Sequence, residues 1–196
     1  MERSSSSELA ARLAAEPQAA FGEVVTTYQD LLYGVCLRVV RDPAAAEDLA
    51  QEAFVKAYRA IGGYPPDRIR ALRLRPWLAR IALNLARNSL RAKRDSSALE
   101  DAPEQRAPVS EEPLSLAQRR EERDMWARLL AGLPDRYRLA VALRHVDGLS
   151  YHELAETLRR PTGTVKSDVH RGVAMLRAAY EAEQRLAGNS SQREAV

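Results

Sequence analysis

LSYHELAETLRRPTGTVKSDVHRGVAMLR, residues 149–177, carries two helical patterns separated by a tight break. Ser150 and Glu153 stand three apart. At that spacing a serine side chain caps an early backbone N–H while the glutamate returns to the N–H of the cap. The helix so opened holds Leu154, Ala155 and Leu158, and Arg159–Thr162, with Pro161, breaks it. A second helix follows from Gly163, with Val165, Val169, Val173 and Leu176 facing inward and Thr164, Lys166, Ser167, His170 and Arg171 outward. Two short helices across a tight turn fit a helix-turn-helix, in which the early residues of the second helix enter the DNA major groove. An ordinary helical hairpin would show the same stripes, so the motif alone does not carry a function. Counting about 100° per residue puts Asp168 on the exposed side, near Lys166 and Arg171. There it either pairs with Arg171 at i,i+3, worth about 0.2–0.5 kcal/mol, or accepts a hydrogen bond from a cytosine N4 amine and reads a base.

Upstream, Leu133-Pro134 starts a helix through Tyr137, Val141 and Leu143 that ends before Gly148. Residues 114–131 read as one more amphipathic helix, with Leu116, Trp126, Leu129 and Leu130 among its apolar positions. The stretch 95–113 has no apolar stripe; it holds Ser96, Ser97, Pro103, Pro108, Ser110 and Pro113 among six acids. Such a composition cannot bury enough apolar surface to offset its ordering entropy, so it is expected to be a flexible acidic linker. It divides the chain into a first domain over 17–94 and a second over 114–183, with a frayed polar tail over 184–196.

The first domain also reads as helices. Residues 17–40 repeat Phe21, Val24, Val25, Tyr28, Leu31, Leu32, Val35, Cys36 and Val39 at a helical period. Asp42 caps the next helix with Pro43 at its first position, and Gly62-Gly63 ends it. That helix has two faces: Leu49, Ala53, Phe54, Ala57 and Tyr58 on one, Asp48, Gln51, Glu52, Val55, Lys56 and Arg59 on the other. Tyr64–Arg75 is loop-like, with Pro65-Pro66 and four arginines. Pro76 opens a last helix to about Lys93, with Trp77, Ile81, Leu85 and Leu90 inward. Along its other side run Arg80, Asn84, Arg87, Asn88, Arg91 and Arg94, a pattern that binds phosphates through arginine and reads base edges through asparagine amides.

Composition sets the outer bounds. Of 196 residues, 45% are hydrophobic, enough for packed cores. Abundant Ala and Leu with few β-branched residues favour an all-α protein. The single cysteine, Cys36, excludes an intrachain disulfide framework and favours a cytoplasmic home; on its apolar stripe it is a small core hydrophobe. No uncharged stretch approaches the roughly 20 residues a membrane span needs, and the N-terminus lacks the apolar region of a secretory signal. The net charge of +3 hides an asymmetry: residues 59–94 carry ten basic residues against Asp67 alone, while 95–113 carry six acids against Arg106. Basic blocks either side of an acidic stretch suggest two nucleic-acid contacts. His145, His152 and His170 form no metal-ligand spacing with Cys36, and no Gly-rich phosphate loop or nucleophile elbow occurs, so neither cofactor nor enzymatic activity is expected.

AEDLAQEAFVKAYRAI (46–61), RPWLARIALNLARNSLRAKR (75–94), LPDRYRLAVALRHVDGLSYHELAETL (133–158) and PTGTVKSDVHRGVAMLR (161–177) together resemble the extracytoplasmic-function group of bacterial sigma factors. The likeness runs from about Phe21 to Glu183 and implies a two-domain helical subunit of RNA polymerase that directs the core enzyme to promoters and helps to melt them. It implies that Asp48, Gln51, Glu52 and Lys56 meet the polymerase clamp helices and that the second domain meets the flap. It assigns the minus-ten element to Arg80, Asn84, Arg87, Asn88 and Arg91, with Asn84 beside a pocket for a flipped base. It assigns the minus-thirty-five element to Thr164, Lys166, Ser167, Asp168, His170 and Arg171, and adds an anti-sigma factor as a partner. Two departures stand out: Arg159-Arg160 occupies a turn where glycine is common, and Asp168 stands where the family usually has arginine. A stand-alone helix-turn-helix regulator is the alternative; it would need neither the polar face around Asp48 nor the Arg/Asn stripe.

Overall fold

The computed structural model describes residues 2–96 and 124–193, and it is all-α, with no strand among the described residues. Nor is any described helix long and apolar enough to cross a membrane. The order is α1 (Glu2–Ala15), α2 (Pro17–Val40), α3 (Pro43–Gly62), α4 (Pro66–Arg70), α5 (Leu74–Ser96), α6 (124–131), α7 (Asp135–His145), α8 (Tyr151–Leu158) and α9 (Thr162–Arg193).

α2, α3 and α5 pack together as the first domain. α2 buries Val24, Tyr28, Leu32, Val35 and Cys36 of the expected stripe, and Ala20 with them, while Phe21, Val25, Leu31 and Val39 are half-buried. Burial pushes the Cys36 thiol up to about 12, so it is an inert packing group. α2 stops at Arg41, whose left-handed φ of 58° turns its N–H onto Leu37 O. Asp42 then caps α3 by accepting from the N–H groups of Ala44 and Ala45 at 3.1 and 3.2 Å. The inner face of α3 is mostly alanine (Ala46, Ala50, Ala53, Ala57), with Leu49, Phe54 and Ile61. Tyr58, expected inside, is 41% exposed and packs edge-on to Phe21 at 5.0 Å instead.

Three features depart from the sequence expectation. Residues 64–75 are not wholly a loop: Pro66 sits in the first turn of the short helix α4, and Ile69 anchors it in the core at 2% exposure. α5 begins earlier than expected, with Leu74 fully buried. It also buries more than one stripe: Leu78, Ala79, Ala82, Leu83 and Ala86 join Trp77 and Leu85, while Ile81 and Leu90 are only half-buried. α5 is covered from two directions, by α2 and α3 on one side and by α8 on another, so a single-stripe reading undercounts it. Finally, α1 docks Leu9, Ala10, Leu13 and Ala14 against α4, α2 and α5, where sequence reading sees only the absence of a secretory signal. Full burial of a side chain such as Leu13 is worth about 1.5–3 kcal/mol, so α1 is part of the core.

In the second domain α7 and α8 pack on α9. The capping box is formed: Glu153 N–H donates to Ser150 Oγ at 3.3 Å and Ser150 N–H to Glu153 Oε2 at 2.8 Å. Burial raises the Glu153 pKa, but these Ser150 bonds, helped by Arg75 and Arg73, outweigh it and hold the carboxyl below its usual range. α8 ends at Arg159 in the left-handed region, φ 53°. Asp135 starts α7 after Pro134; the expected helix over 114–131 is seen over 124–131, its earlier part lying outside the described residues, as does the expected linker from residue 97 on. α9 stays helical to Arg193, beyond the point where fraying is expected. Val173, expected inside, is 37% exposed, because α9 turns Gly172 towards α7. A Cβ on Gly172 would lie 2.5 Å from Val141 Cγ2 and 3.2 Å from the Tyr137 carbonyl oxygen. Gly172→Ala is therefore expected to destabilise this domain by about 1–2 kcal/mol, despite the better helix propensity of alanine. Equilibrium denaturation would show it; a gain in stability would mean that α7 yields freely.

Candidate nucleic-acid interface

Three helix faces carry the candidate residues. On α3, Asp48, Gln51, Glu52 and Lys56 all point to solvent, opposite the alanine face that packs on the core. Glu52 and Lys56 pair at 3.0 Å, each side chain about half exposed. Val55 lies among them at 47% exposure. An exposed apolar side chain among charged ones leaves this face open to contact with a partner surface.

On α5, Asn84, Arg87, Asn88 and Arg91 are exposed and Arg80 is half-buried, so the Arg/Asn stripe is a surface. It does not run free of the second domain. Burial first, and then the charge of Arg160, lowers the pKa of Arg87 from the usual arginine range. The second domain comes up to α5 through α8, which packs against it. Upstream, Arg68 stacks its guanidinium over Tyr64 at 3.7 Å, beside the Tyr64–Trp77 contact at 6.4 Å. An arginine on an aromatic plane is a ready neighbour for an unstacked base.

On α9, Lys166, Ser167, His170 and Arg171 are exposed and Thr164 is half-buried, as the helix-turn-helix reading expects. Asp168 is the correction. Its side chain is only 1% exposed and cannot meet a base. Arg136 Nε donates to both of its oxygens at 2.9 Å, Arg136 Nη2 reaches Oδ1 at 2.7 Å, and Arg160 Nη1 reaches Oδ2 at 3.0 Å. Asp168 therefore ties α9 to the first turn of α7 and to the α8–α9 turn. The expected contact with Arg171 is not the one made. Sequence reading also missed Tyr151, which lies under Arg144 at 4.8 Å and Lys166 at 5.8 Å. Its place just after the Ser150 cap gives no sign of this.

The two domains share one apolar core, which Leu149, Leu154 and Leu158 join from the second domain, and polar contacts run beside it. Arg38 Nη2 lies 3.4 Å from Asp147 Oδ1. Arg75 donates to the main-chain oxygens of Asp147 at 2.7 Å and Gly148 at 3.2 Å. Arg73 pairs with Glu156, and Thr157 Oγ1 donates to the Pro76 carbonyl at 3.5 Å. Gly148 has a φ of 68°, and a Cβ there would stand 3.4 Å from Arg75 Nη2, so both the turn and the approach of Arg75 favour glycine. Burial raises the Asp147 pKa, and the charges of Arg38 and Arg75 only partly oppose it. Among the described residues no group of three His, Cys, Asp or Glu side chains is placed to hold a metal ion.

The surfaces fall within two family matches. Sigma-70 region 2 covers residues 24–96, and Sigma-70, region 4 covers residues 123–176. The chain is 34% identical over 179 residues to the ECF RNA polymerase sigma factor SigW of Bacillus subtilis (strain 168), covering 82% of this chain and 88% of SigW. It is 36% identical over 163 residues to the ECF RNA polymerase sigma-E factor of Escherichia coli (strain K12), covering 79% of this chain and 83% of that one. Among solved structures, CnrH in complex with the cytosolic domain of CnrY is similar with a TM-score of 0.66 and 26% identity, over 90% of this chain and 97% of that one. With both regions present in order and relatives matched over most of their length, the chain belongs to the extracytoplasmic-function group of the sigma-70 family of RNA polymerase sigma factors.

Proposed function

We propose that this chain works in the cytoplasm as a sigma factor, a non-enzymatic initiation subunit that binds core polymerase and directs it to promoters. One observation carries the reading. The first domain presents an acidic, Val55-centred face on α3 and an Arg/Asn stripe on α5, and the same chain carries a helix-turn-helix. A stand-alone regulator would use the last of these and leave the first two without work. In this reading Asp48, Gln51, Glu52 and Lys56 meet the clamp helices. Arg80, Asn84, Arg87, Asn88 and Arg91 engage the minus-ten element. Thr164, Lys166, Ser167, His170 and Arg171 engage the minus-thirty-five element, and the second domain meets the flap. An anti-sigma factor is a further partner in this reading; CnrH, to which the chain is similar, was itself solved in complex with another protein, the cytosolic domain of CnrY. Mobility shifts with and without core polymerase test the function: promoter DNA should be bound well only with core, and tight binding by the free chain as a dimer would favour the regulator.

Within the minus-ten surface, Asn84 and Arg87 should separate. Asn84→Ala removes an amide that can hydrogen-bond an extruded base, so preference at one minus-ten position should relax by about 1–3 kcal/mol. Arg87→Ala removes a phosphate contact and should weaken all promoters alike. Permanganate footprints on base-substituted promoters measure both. Equal losses on every promoter would show that Asn84 reads no base.

A further inference from the structure

Tyr58 is 41% exposed, although Phe54 and Ala57 beside it on α3 are buried. Its ring stands edge-on to Phe21 at 5.0 Å, and Phe21 meets Phe54 at 6.5 Å, so one aromatic group runs from the core out to the surface. There Tyr58 borders a groove of about 570 Å³ between the C-terminal end of α3 and the corner joining α1 to α2. Pro17, Ala19 and Gly62 line it with Tyr58, and Glu16 and Arg59 supply its charges. The corner is a fixed wall. Glu16 alone separates the two helices, Pro17 opens α2, and Leu13 and Ala14 anchor the end of α1 in the core. The opposite side is open: a Cβ on Gly62 would meet nothing within 4 Å.

The groove continues the solvent face of α3. Val55, 47% exposed, stands three residues before Tyr58 and four before Arg59, so the three adjoin on the helix surface. Two apolar side chains held out of the core at adjoining positions, beside a preformed groove with charges at its edge, suit the anchor-and-pocket arrangement of interface centres. The Sigma-70 region 2 match begins at residue 24, so the corner over 16–19 lies ahead of it. We infer that the Tyr58 groove is a docking site for core polymerase, taking an apolar side chain from the same partner surface that meets Asp48, Gln51 and Glu52. The inference rests on the proposed core-binding role of α3. It adds the α1–α2 corner to that interface as a second wall and gives the exposed Tyr58 ring its use.

The test fills the groove in the full chain and measures competition for core polymerase. Gly62→Leu fills it from one side; Gly62 is helical and has no positive φ, so the side chain brings no backbone strain. Ala19→Gln fills it from the other side, at an exposed position and with no change of charge. Each should compete about tenfold less well, the loss of one anchor, with its melting midpoint kept or raised. Tyr58→Phe keeps the ring and should compete as the unaltered chain does. Undiminished competition by either filling that keeps its melting midpoint, while Glu52→Lys competes poorly, would overturn the groove and leave the α3 reading standing. Undiminished competition by all three would overturn both. A free chain that self-associates in sedimentation, and ceases to do so with Gly62→Leu, would overturn the inference by making a second copy of this chain the occupant.

Discussion

Asp168→Arg is expected to unfold the helix-turn-helix domain and not to tighten its grip on DNA. In the folded domain the Asp168 carboxylate, 1% exposed, is shared by Arg136 and Arg160. Removing one partner of a buried ion pair costs about 3–5 kcal/mol, and here the replacement adds a third cation to the same place. A small domain has only about 5–15 kcal/mol of stability in total, so most of it would go. Asp168→Ala should do less, about 2 kcal/mol, because the Arg136 and Arg160 side chains are 48% and 35% exposed and can turn to water. Trp126, stacked on Tyr180 at 5.1 Å, provides a fluorescence signal in this domain during thermal unfolding. An unchanged midpoint together with uniformly tighter binding to every minus-thirty-five sequence would show that Asp168 is a DNA-facing residue after all.

The misplacement of Asp168 was a phase error in a correct helix. At about 100° per residue, Asp168 falls about 60° from Val165, within the width of a buried face. The face that packs is Val165, Asp168, Val169 and Gly172, spaced i, i+3, i+4 and i+7. Taking Val173 as inward rotates the stripe away from the aspartate, whereas Leu176, about 20° from Val165, lies within the packing face and is half-buried. One of the two departures from the family pattern meets the other: Arg160, from the Arg159-Arg160 turn, shares the Asp168 carboxylate with Arg136. Charge complementarity eight residues apart across a turn follows no helical period, so pattern reading treats the two as unrelated.

What was legible was what local chemistry dictates. The Asp42 cap, the Ser150–Glu153 capping box, the α2 stripe and the outward set Lys166, Ser167, His170 and Arg171 all appear as expected. The seam between domains was not legible. Its contacts join residues 72 to 109 positions apart, such as Arg75 with Asp147 and Arg38 with Asp147. Arg73 and Arg75 read from sequence as part of the basic block over 59–94, and nothing in the local pattern singles out Arg38. Two first-domain groups that could be counted as free cations, Arg38 and Arg75, are instead occupied by the second domain.

Glu52→Lys is expected to abolish most of the affinity for core polymerase while leaving the fold almost untouched. The asymmetry follows from where Glu52 stands. Its pairing with Lys56 at 3.0 Å is solvent-exposed on both sides, and such a pair is worth about 0.3–0.5 kcal/mol. Placing two lysines at i,i+4 costs a similar amount, so helical content and melting should scarcely change. In the proposed interface the same carboxylate meets a partner surface, and losing one member of a buried interfacial charge pair costs about 2–5 kcal/mol, or roughly 30-fold to several-thousandfold in affinity. Val55 separates an electrostatic loss from a general one. It is 47% exposed one turn from Gln51 and contributes apolar contact, not charge. If α3 is the clamp-facing helix, Val55→Ser should also weaken core binding. The Glu52→Lys defect should change with salt as exposed charges are screened, while the Val55→Ser defect should not. Competition for core polymerase across a salt series measures both, and unaltered competition by both variants would remove α3 from the interface.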